Sequence, residues 1–176
     1  MSLRIVAGAW GGRRLETPKG EGTRPTADRV REAVFSMLGD VSGARVLDLY
    51  AGSGALGIEA LSRGAESAVF VERDRAALTA LQRNLEATGA RGEVRRQDVA
   101  RFLARPEGTF DLVFCDPPYD GAPAIAEALA EALPAMTAEE ARIVTESDKR
   151  NPLLLPLPLA VERSYGDTRI AIHSVS

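Results

Sequence analysis

From residue 45 onward the chain repeats one unit. A short apolar run is followed by a stretch of helical length, and then by another apolar run. The runs are "RVLDLY", "SAVFVE", "GEVRRQD", "FDLVFCD" and "ARIVTES". Between them lie predicted helices near 54–63 and 74–88 (the latter ending at Gly89), a short one after the third run, and one near 122–133. Continuous β-branched and apolar runs of about 4–6 residues suit strands buried on both faces. Strands that alternate with helices must be joined by right-handed crossovers, which gives a parallel, doubly wound α/β sheet. "NPLLLPLPL" has three prolines after Asn151 and reads as a loop. The last runs, "LAVERSY" and "TRIAIHSV", are split by Gly166-Asp167 and read as a closing antiparallel hairpin.

The N-terminal part has a different character. Residues 3–6 and about 13–16 form a candidate hairpin around "GAWGG", followed by the Pro/Gly-rich loop "ETPKGEGTRPT". Thr26 is placed to cap a helix over about 27–38, in which Val30, Val34, Phe35 and Leu38 share one face. The expected division is therefore a hairpin-helix extension over 1–40 and an α/β domain over 41–176.

The 176 residues, 45% hydrophobic and 27% charged, are those of a globular domain. No apolar run reaches the roughly 20 residues that span a membrane, and the N-terminus lacks a signal-peptide pattern. A cytoplasmic protein, monomeric by default, is expected. One cysteine and one histidine exclude an internal disulfide and the usual zinc clusters, so no metal is expected. Cys115, on a strand between apolar residues, reads as a buried small hydrophobe, and His173 as structural or exposed. Trp10 reads as packing the hairpin onto the domain. The net charge is −3, yet residues 1–31 carry seven cations (Arg4, Arg13, Arg14, Lys19, Arg24, Arg29 and Arg31) against Glu16, Glu21 and Asp28. Such a basic arm on an acidic body suits phosphate contacts, with Arg13 and Arg14 the first candidates.

Two motifs carry chemistry. The first strand runs into "DLYAGSGALG", where Gly52, Gly54 and Gly57 fit G-x-G-x-x-G, and the second strand ends in Glu72, twenty residues after Gly52. Glycines permit a sharp turn and close approach of a ligand, and a carboxylate at that distance can accept from both ribose hydroxyls. A dinucleotide and S-adenosylmethionine both fit this pattern. Asp98, after the third strand, is either an acceptor for an adenine amino group or a helix cap. The second motif is Asp116-Pro117-Pro118-Tyr119, directly after the fourth strand. In a doubly wound sheet this places it beside the glycine turn, at the carboxyl edge where ligands bind. An exocyclic amino group on a base is a poor nucleophile because its lone pair is delocalised. The Asp116 carboxylate and the Pro117 carbonyl, aimed at its hydrogens, would draw the nitrogen toward sp³ and stabilise the charge that develops. The prolines fix the carbonyl's direction, and Tyr119 offers a ring for base stacking.

"DPPY" resembles the motif of S-adenosylmethionine-dependent amino-methyltransferases. Together, "RIVAGAWGGRRL", "TRPTADRVREAVFSML", "LDLYAGSGALGIEALSRGA" and "FDLVFCDPPY" resemble the bacterial small-subunit (16S) rRNA guanine-N2 methyltransferase family, RsmD-type. The resemblance implies a Rossmann-like class I methyltransferase sheet of order 3-2-1-4-5-7-6 with the last strand antiparallel. It implies S-adenosylmethionine as cofactor, held by Asp48, Ala51, Gly52, Gly54, Glu72, Asp98, Val99 and Thr26. It implies Asp116, Pro117 and Tyr119 around the target base, and Arg13, Arg14, Arg24 and Arg29 toward RNA. The partner would be rRNA or the assembling or assembled small ribosomal subunit, with no membrane involved. "WGG" stands where many members have "WRG", which bears on how much RNA affinity the hairpin supplies. The competing readings are a DNA or RNA adenine-N6 or cytosine-N4 amino-methyltransferase, a non-catalytic nucleoside- or RNA-binding module, and a dinucleotide oxidoreductase.

Overall fold

In a computed structural model, residues 3–18, 25–118 and 121–175 are described. A seven-stranded sheet of order β3-β2-β1-β4-β5-β7-β6 forms its centre. The strands are β1 (Arg45–Leu49), β2 (Ser67–Glu72), β3 (Gly92–Arg96), β4 (Phe110–Cys115), β5 (Thr137–Asp148), β6 (Leu159–Tyr165) and β7 (Thr168–Ser174). β7 runs antiparallel to both neighbours, and β1 to β5 are parallel. The helices are α1 (Pro25–Leu38), α2 (Ala55–Ser62), α3 (Arg75–Thr88), α4 (Val99–Ala104) and α5 (Ala122–Met136). The chain builds outward from β1 to β3, then returns to place β4 on the other side of β1. The carboxyl ends of β1 and β4 therefore flank the point where strand order reverses, which is where such sheets bind ligands. Among the described residues no helix is long and apolar enough to cross a membrane.

Each central strand sends alternate residues to two separate cores. Val46, Phe70, Leu112 and Phe114 point to one face, where Ile58 of α2, Leu81 of α3 and Phe35 of α1 cover them. Leu47, Leu49, Val113, Cys115 and Ile143 point to the other, under α4 and α5. Phe35 and Phe114 meet with ring centroids 5.8 Å apart. Complete burial of each such ring contributes about 1.5–3 kcal/mol. Leu3, Ile5 and Leu15 of the N-terminal hairpin join the first core, so the hairpin is held by burial as well as by polar contacts.

Several boundaries differ from the expectation, each for a local reason. α1 begins at Pro25, so Thr26 lies within its first turn and is not its cap. Proline is suited to a first turn because its missing N–H has no partner there anyway. β1 stops at Leu49 because Tyr50 takes a left-handed φ of 57°. β3 stops at Arg96 and β4 at Cys115, so Asp98 and Asp116 stand just beyond the sheet. α5 runs on to Met136 through Pro134, which lies in the last turn and leaves the Ala130 carbonyl without its intrahelical N–H donor. β5 then starts at once, and its register against β4 shifts between Phe110 and Leu112. The expected N-terminal hairpin reduces to one bridge, Arg4 with Arg14, though its backbone bonds are sound (Ile5 N–H to Arg13 C=O 2.9 Å; Leu15 N–H to Leu3 C=O 2.8 Å).

Candidate active site

The C-terminal edge of β1, β2 and β4 assembles the sequence-predicted residues. Register places Leu49 beside both Val71 and Cys115. The residues that follow, Tyr50, Glu72 and Asp116, therefore stand at the same edge of the sheet, on adjacent strands ~4.8 Å apart. Beyond Tyr50 the chain makes the turn Ala51–Gly54 into α2. Gly52 (φ 59°) faces open space, since a Cβ there would meet nothing within 4 Å. Gly54 and Gly57 serve packing instead. A Cβ on Gly54 would lie 2.4 Å from Leu81 Cδ1, and one on Gly57 would lie 2.3 Å from Phe70 Cε1. Of the three glycines, only the first borders a space a ligand can occupy.

Two carboxylates frame that turn. Glu72 Oε2 accepts from the Gly52 N–H at 2.8 Å, and Oε1 accepts from the N–H groups of Arg73 and Asp74 at 2.8 and 2.9 Å. These bonds tie the end of β2 to the turn. Asp48, 2% exposed, accepts the Gly57 N–H at 2.9 Å. That N–H is one of the free donors in the first turn of α2. Its engagement by a carboxylate removes a donor that a pyrophosphate would use. The turn and the strand before it, residues 46–58, contain no cation. With no cation in the turn, the site fits the positively charged S-adenosylmethionine.

Burial, reinforced by the charge of Glu72 and opposed by the Gly57 bond, pushes the Asp48 carboxyl up to about 8. In the unfolded chain the group titrates near 3.8. Between those values the folded state binds the extra proton. The stability Asp48 contributes is thus complete below about pH 4 and is lost as pH rises through 8. Asp48→Asn, which keeps an acceptor for Gly57, is expected to be more stable than the parent near pH 8, by an amount on the order of a few kcal/mol, and to match it near pH 4. Urea unfolding at the two pH values reads this difference; an equal difference at both would contradict it.

Asp98 caps α4, its Oδ1 accepting from the Ala100 N–H at 2.8 Å, while Arg73 Nη1 holds its Oδ2 at 2.8 Å. Val99, the first residue of α4, is 3% exposed. Asp116 is exposed, Pro117 buried and Pro118 exposed. The Gly121 N–H donates to the Pro118 carbonyl at 2.9 Å, which closes the turn. Tyr119 and Arg24 lie outside the described residues, as does the side chain of Thr26. Arg13, Arg14 and Arg29 are exposed, and Arg13 Nη1 donates to the Ala87 carbonyl at 2.6 Å. Arg31, counted with the basic arm on sequence grounds, is 4% exposed. It is neutralised by Asp28 (2.9 Å) and Glu59 (3.4 Å), so it belongs to the interior and not to the arm's surface.

Three residues at or behind this edge have no role assigned to them by the sequence motifs. Tyr50 is half-buried and left-handed, and burial, with the charges of Cys115 and Asp98 adding, pushes its phenol up to about 12. Glu59, fully buried, accepts from the N–H groups of Val6 (2.8 Å) and Ala7 (3.0 Å) and pairs with Arg63 (2.9 Å) and Arg31. The signal was available: Glu59 is the lone charge in the otherwise apolar helix "ALGIEALS". Asn84, 2% exposed, has no such signal, because its partners are backbone groups far away in sequence. Cys115, 1% exposed, is a buried thiol whose pKa burial raises, as its strand position implied. His173 is buried with Nδ1 3.2 Å from the Leu157 carbonyl, a structural role. Trp10 packs on the first core, and its backbone N–H donates to Ser62 Oγ at 3.0 Å.

Residues 3–174 match the family described as Conserved hypothetical protein 95. Ribosomal RNA small subunit methyltransferase D of Escherichia coli is 47% identical over 120 residues, which are 66% of this chain and 60% of that protein. The protein of the same name from Haemophilus influenzae is 38% identical over 166 residues, 88% of this chain and 83% of its own length. Among solved structures, yhhF from Escherichia coli superposes with a TM-score of 0.88 at 37% identity, covering 99% of this chain and 98% of that one.

Proposed function

Given that the chain belongs to the Conserved hypothetical protein 95 family, together with the ribosomal RNA small subunit methyltransferases D, we propose that it methylates the exocyclic N2 amino group of a guanine in small-subunit rRNA. The broader part of this statement, S-adenosylmethionine-dependent methylation of rRNA, follows from the family. The choice of an amino group is carried by one observation. Asp116 and Pro117 stand at the end of β4, one strand from the edge where the glycine turn opens.

S-adenosylmethionine, when bound, supplies an electrophilic methyl group on a sulfonium. Glu72, fixed by three backbone N–H groups, presents its carboxylate to the ribose hydroxyls, and Gly52 allows the cofactor close approach. Ala51 and Gly54 complete the turn, while Asp98 and Val99 border the adenine. Asp48 holds the turn through Gly57. At the other side, the Asp116 carboxylate accepts one hydrogen of the base's amino group and the Pro117 carbonyl accepts the other. The Pro118 carbonyl is engaged with the Gly121 N–H, so in this reading the substrate hydrogen goes to the Pro117 carbonyl before it. Both acceptors stabilise the positive charge that develops on nitrogen as the methyl leaves sulfur for it, and the surplus amino proton then passes to Asp116 or to water. Tyr119 stacks on the base, which must leave its own stack to enter the site. Thr26 and the start of α1 cover the methionine end of the cofactor, while Arg13, Arg14, Arg24 and Arg29 meet RNA phosphates.

A transfer assay tests this reading. Purified protein is given methyl-labelled S-adenosylmethionine with small ribosomal subunits lacking the modification, with naked rRNA, or with duplex DNA. Label is expected in RNA, in the subunit or in the free form. Label in DNA alone would favour the amino-methyltransferases of DNA.

A further inference from the structure

Asn84 occupies a place that neither motif explains. It sits on the buried side of α3, 2% exposed, and spends every polar atom of its side chain on two distant segments. Its Oδ1 accepts from the Glu16 N–H at 2.7 Å. Its Nδ2 donates to the Glu16 carbonyl and to the Ser53 carbonyl, both at 2.9 Å. The amide orientation is unambiguous, because an N–H needs the oxygen and two carbonyls need the nitrogen. Ser53 lies between Gly52, the glycine that borders open space, and Gly54. Glu16 is the last stretch of the N-terminal arm before the segment that leads to α1. One buried side chain thus holds the turn and the arm in a single arrangement.

The sign of the effect follows from saturation. When both partners are in place, all three bonds form. If the Ser53 peptide moves, Asn84 loses a bond and keeps a buried N–H without an acceptor, which is costly and loosens its hold on Glu16. If the arm moves, the turn loses its brace in the same way. Each segment, once fixed by its own ligand, favours the bound arrangement of the other. The surface pair of Arg83 with Glu16 (3.2 Å) cannot replace this link, since both side chains are largely exposed and such pairs are weak.

We propose that Asn84 is a positioning residue that couples the two binding events, so that cofactor on the turn and RNA on the arm each strengthen the binding of the other. This rests on the assignment of the turn to S-adenosylmethionine and of the arm to rRNA. By linkage the two effects are equal, and a factor of about ten lies within the usual range for coupled sites.

Calorimetric titration of S-adenosylhomocysteine, which binds without turnover, measures the coupling. The titration is run on the protein alone and on the protein saturated with small ribosomal subunits that lack the modification. The parent protein should bind S-adenosylhomocysteine about tenfold more tightly when subunits are present. Asn84→Asp, which replaces the donor by an acceptor facing two carbonyls, should reduce that ratio to below about twofold. Glu16→Pro tests the same link from the arm: it removes the N–H that Asn84 Oδ1 accepts, together with the weak surface pair to Arg83. It should lower the ratio while its affinity for S-adenosylhomocysteine alone stays at the parent's value. An unchanged ratio in Glu16→Pro, or a parent that binds both ligands with no mutual effect, would overturn the proposal. A parent that binds S-adenosylhomocysteine but not subunits would instead overturn the rRNA assignment on which it rests.

Discussion

Asp116→Ala is expected to lower the rate constant for methyl transfer by about 10²–10³-fold while S-adenosylhomocysteine binds with its parental affinity. The amino nitrogen of a base carries almost no free lone pair, so the barrier lies in making it a nucleophile and in holding the positive charge it acquires. The proposed mechanism gives its two hydrogens two acceptors, of which Asp116 is the carboxylate. The loss of one preorganised partner to a developing charge costs about two to three powers of ten in related oxyanion sites. The residues proposed to hold the cofactor lie on β1, the turn after it, β2, the start of α4 and α1, so they are untouched when the side chain beyond β4 is shortened. Asp116→Asn keeps an acceptor oxygen without the charge and should fall between the parent and Ala. Single-turnover transfer on saturating substrate separates chemistry from release. A rate within twofold of the parent would remove Asp116 from the mechanism.

Glu59→Ala is expected to be the most destabilising single change at the base of the site. Glu59 is fully buried and faces Arg63, Arg31 and the N–H groups of Val6 and Ala7. Arg31, at 4% exposed, would keep, among the described residues, Asp28 and the Arg4 carbonyl. Removal of one partner from a buried ion pair costs about 3–5 kcal/mol, because the other charge remains in a poor medium. For a domain of this size that corresponds to a fall in Tm of roughly 10 °C. The loss should be local as well as global: amide exchange of Val6 and Ala7 should accelerate before the sheet opens, since their acceptor is gone. A change in stability below 1 kcal/mol, with Val6 and Ala7 still protected, would mean that apolar burial of Leu3, Ile5 and Leu15 alone docks the hairpin.

The sheet was legible because its signals are local. Apolar runs such as "SAVFVE" and "FDLVFC" are bounded by turn residues, and buried parallel strands need nothing else to be recognised. The strand order came from resemblance, since the parallel pairing of β1 with both β2 and β4 leaves no mark in either strand. The glycine turn and Asp116 were legible for a similar reason: each is a short motif at the end of one strand. What was not legible depends on contacts between distant segments. Arg31 looks like a surface cation in "DRVRE" until Glu59, twenty-eight residues later, is seen against it. Thr26 looked like a cap because a threonine before an apolar periodicity usually is one, but Pro25 opens the helix a residue earlier. Asn84 could not be read at all, for its partners are main-chain atoms at Glu16 and Ser53.

The central claim, that this edge methylates the amino group of a guanine in rRNA, is met most directly by identifying the modified nucleoside. Small ribosomal subunits lacking the modification are incubated with the protein and S-adenosylmethionine, and their RNA is digested to nucleosides and separated by mass spectrometry against standards. The account predicts N2-methylguanosine as the product, formed at a rate about 10²–10³-fold lower when Asp116→Ala replaces the parent. N6-methyladenosine, N4-methylcytidine or a methyl on a ring nitrogen or the ribose, in place of N2-methylguanosine, would contradict it.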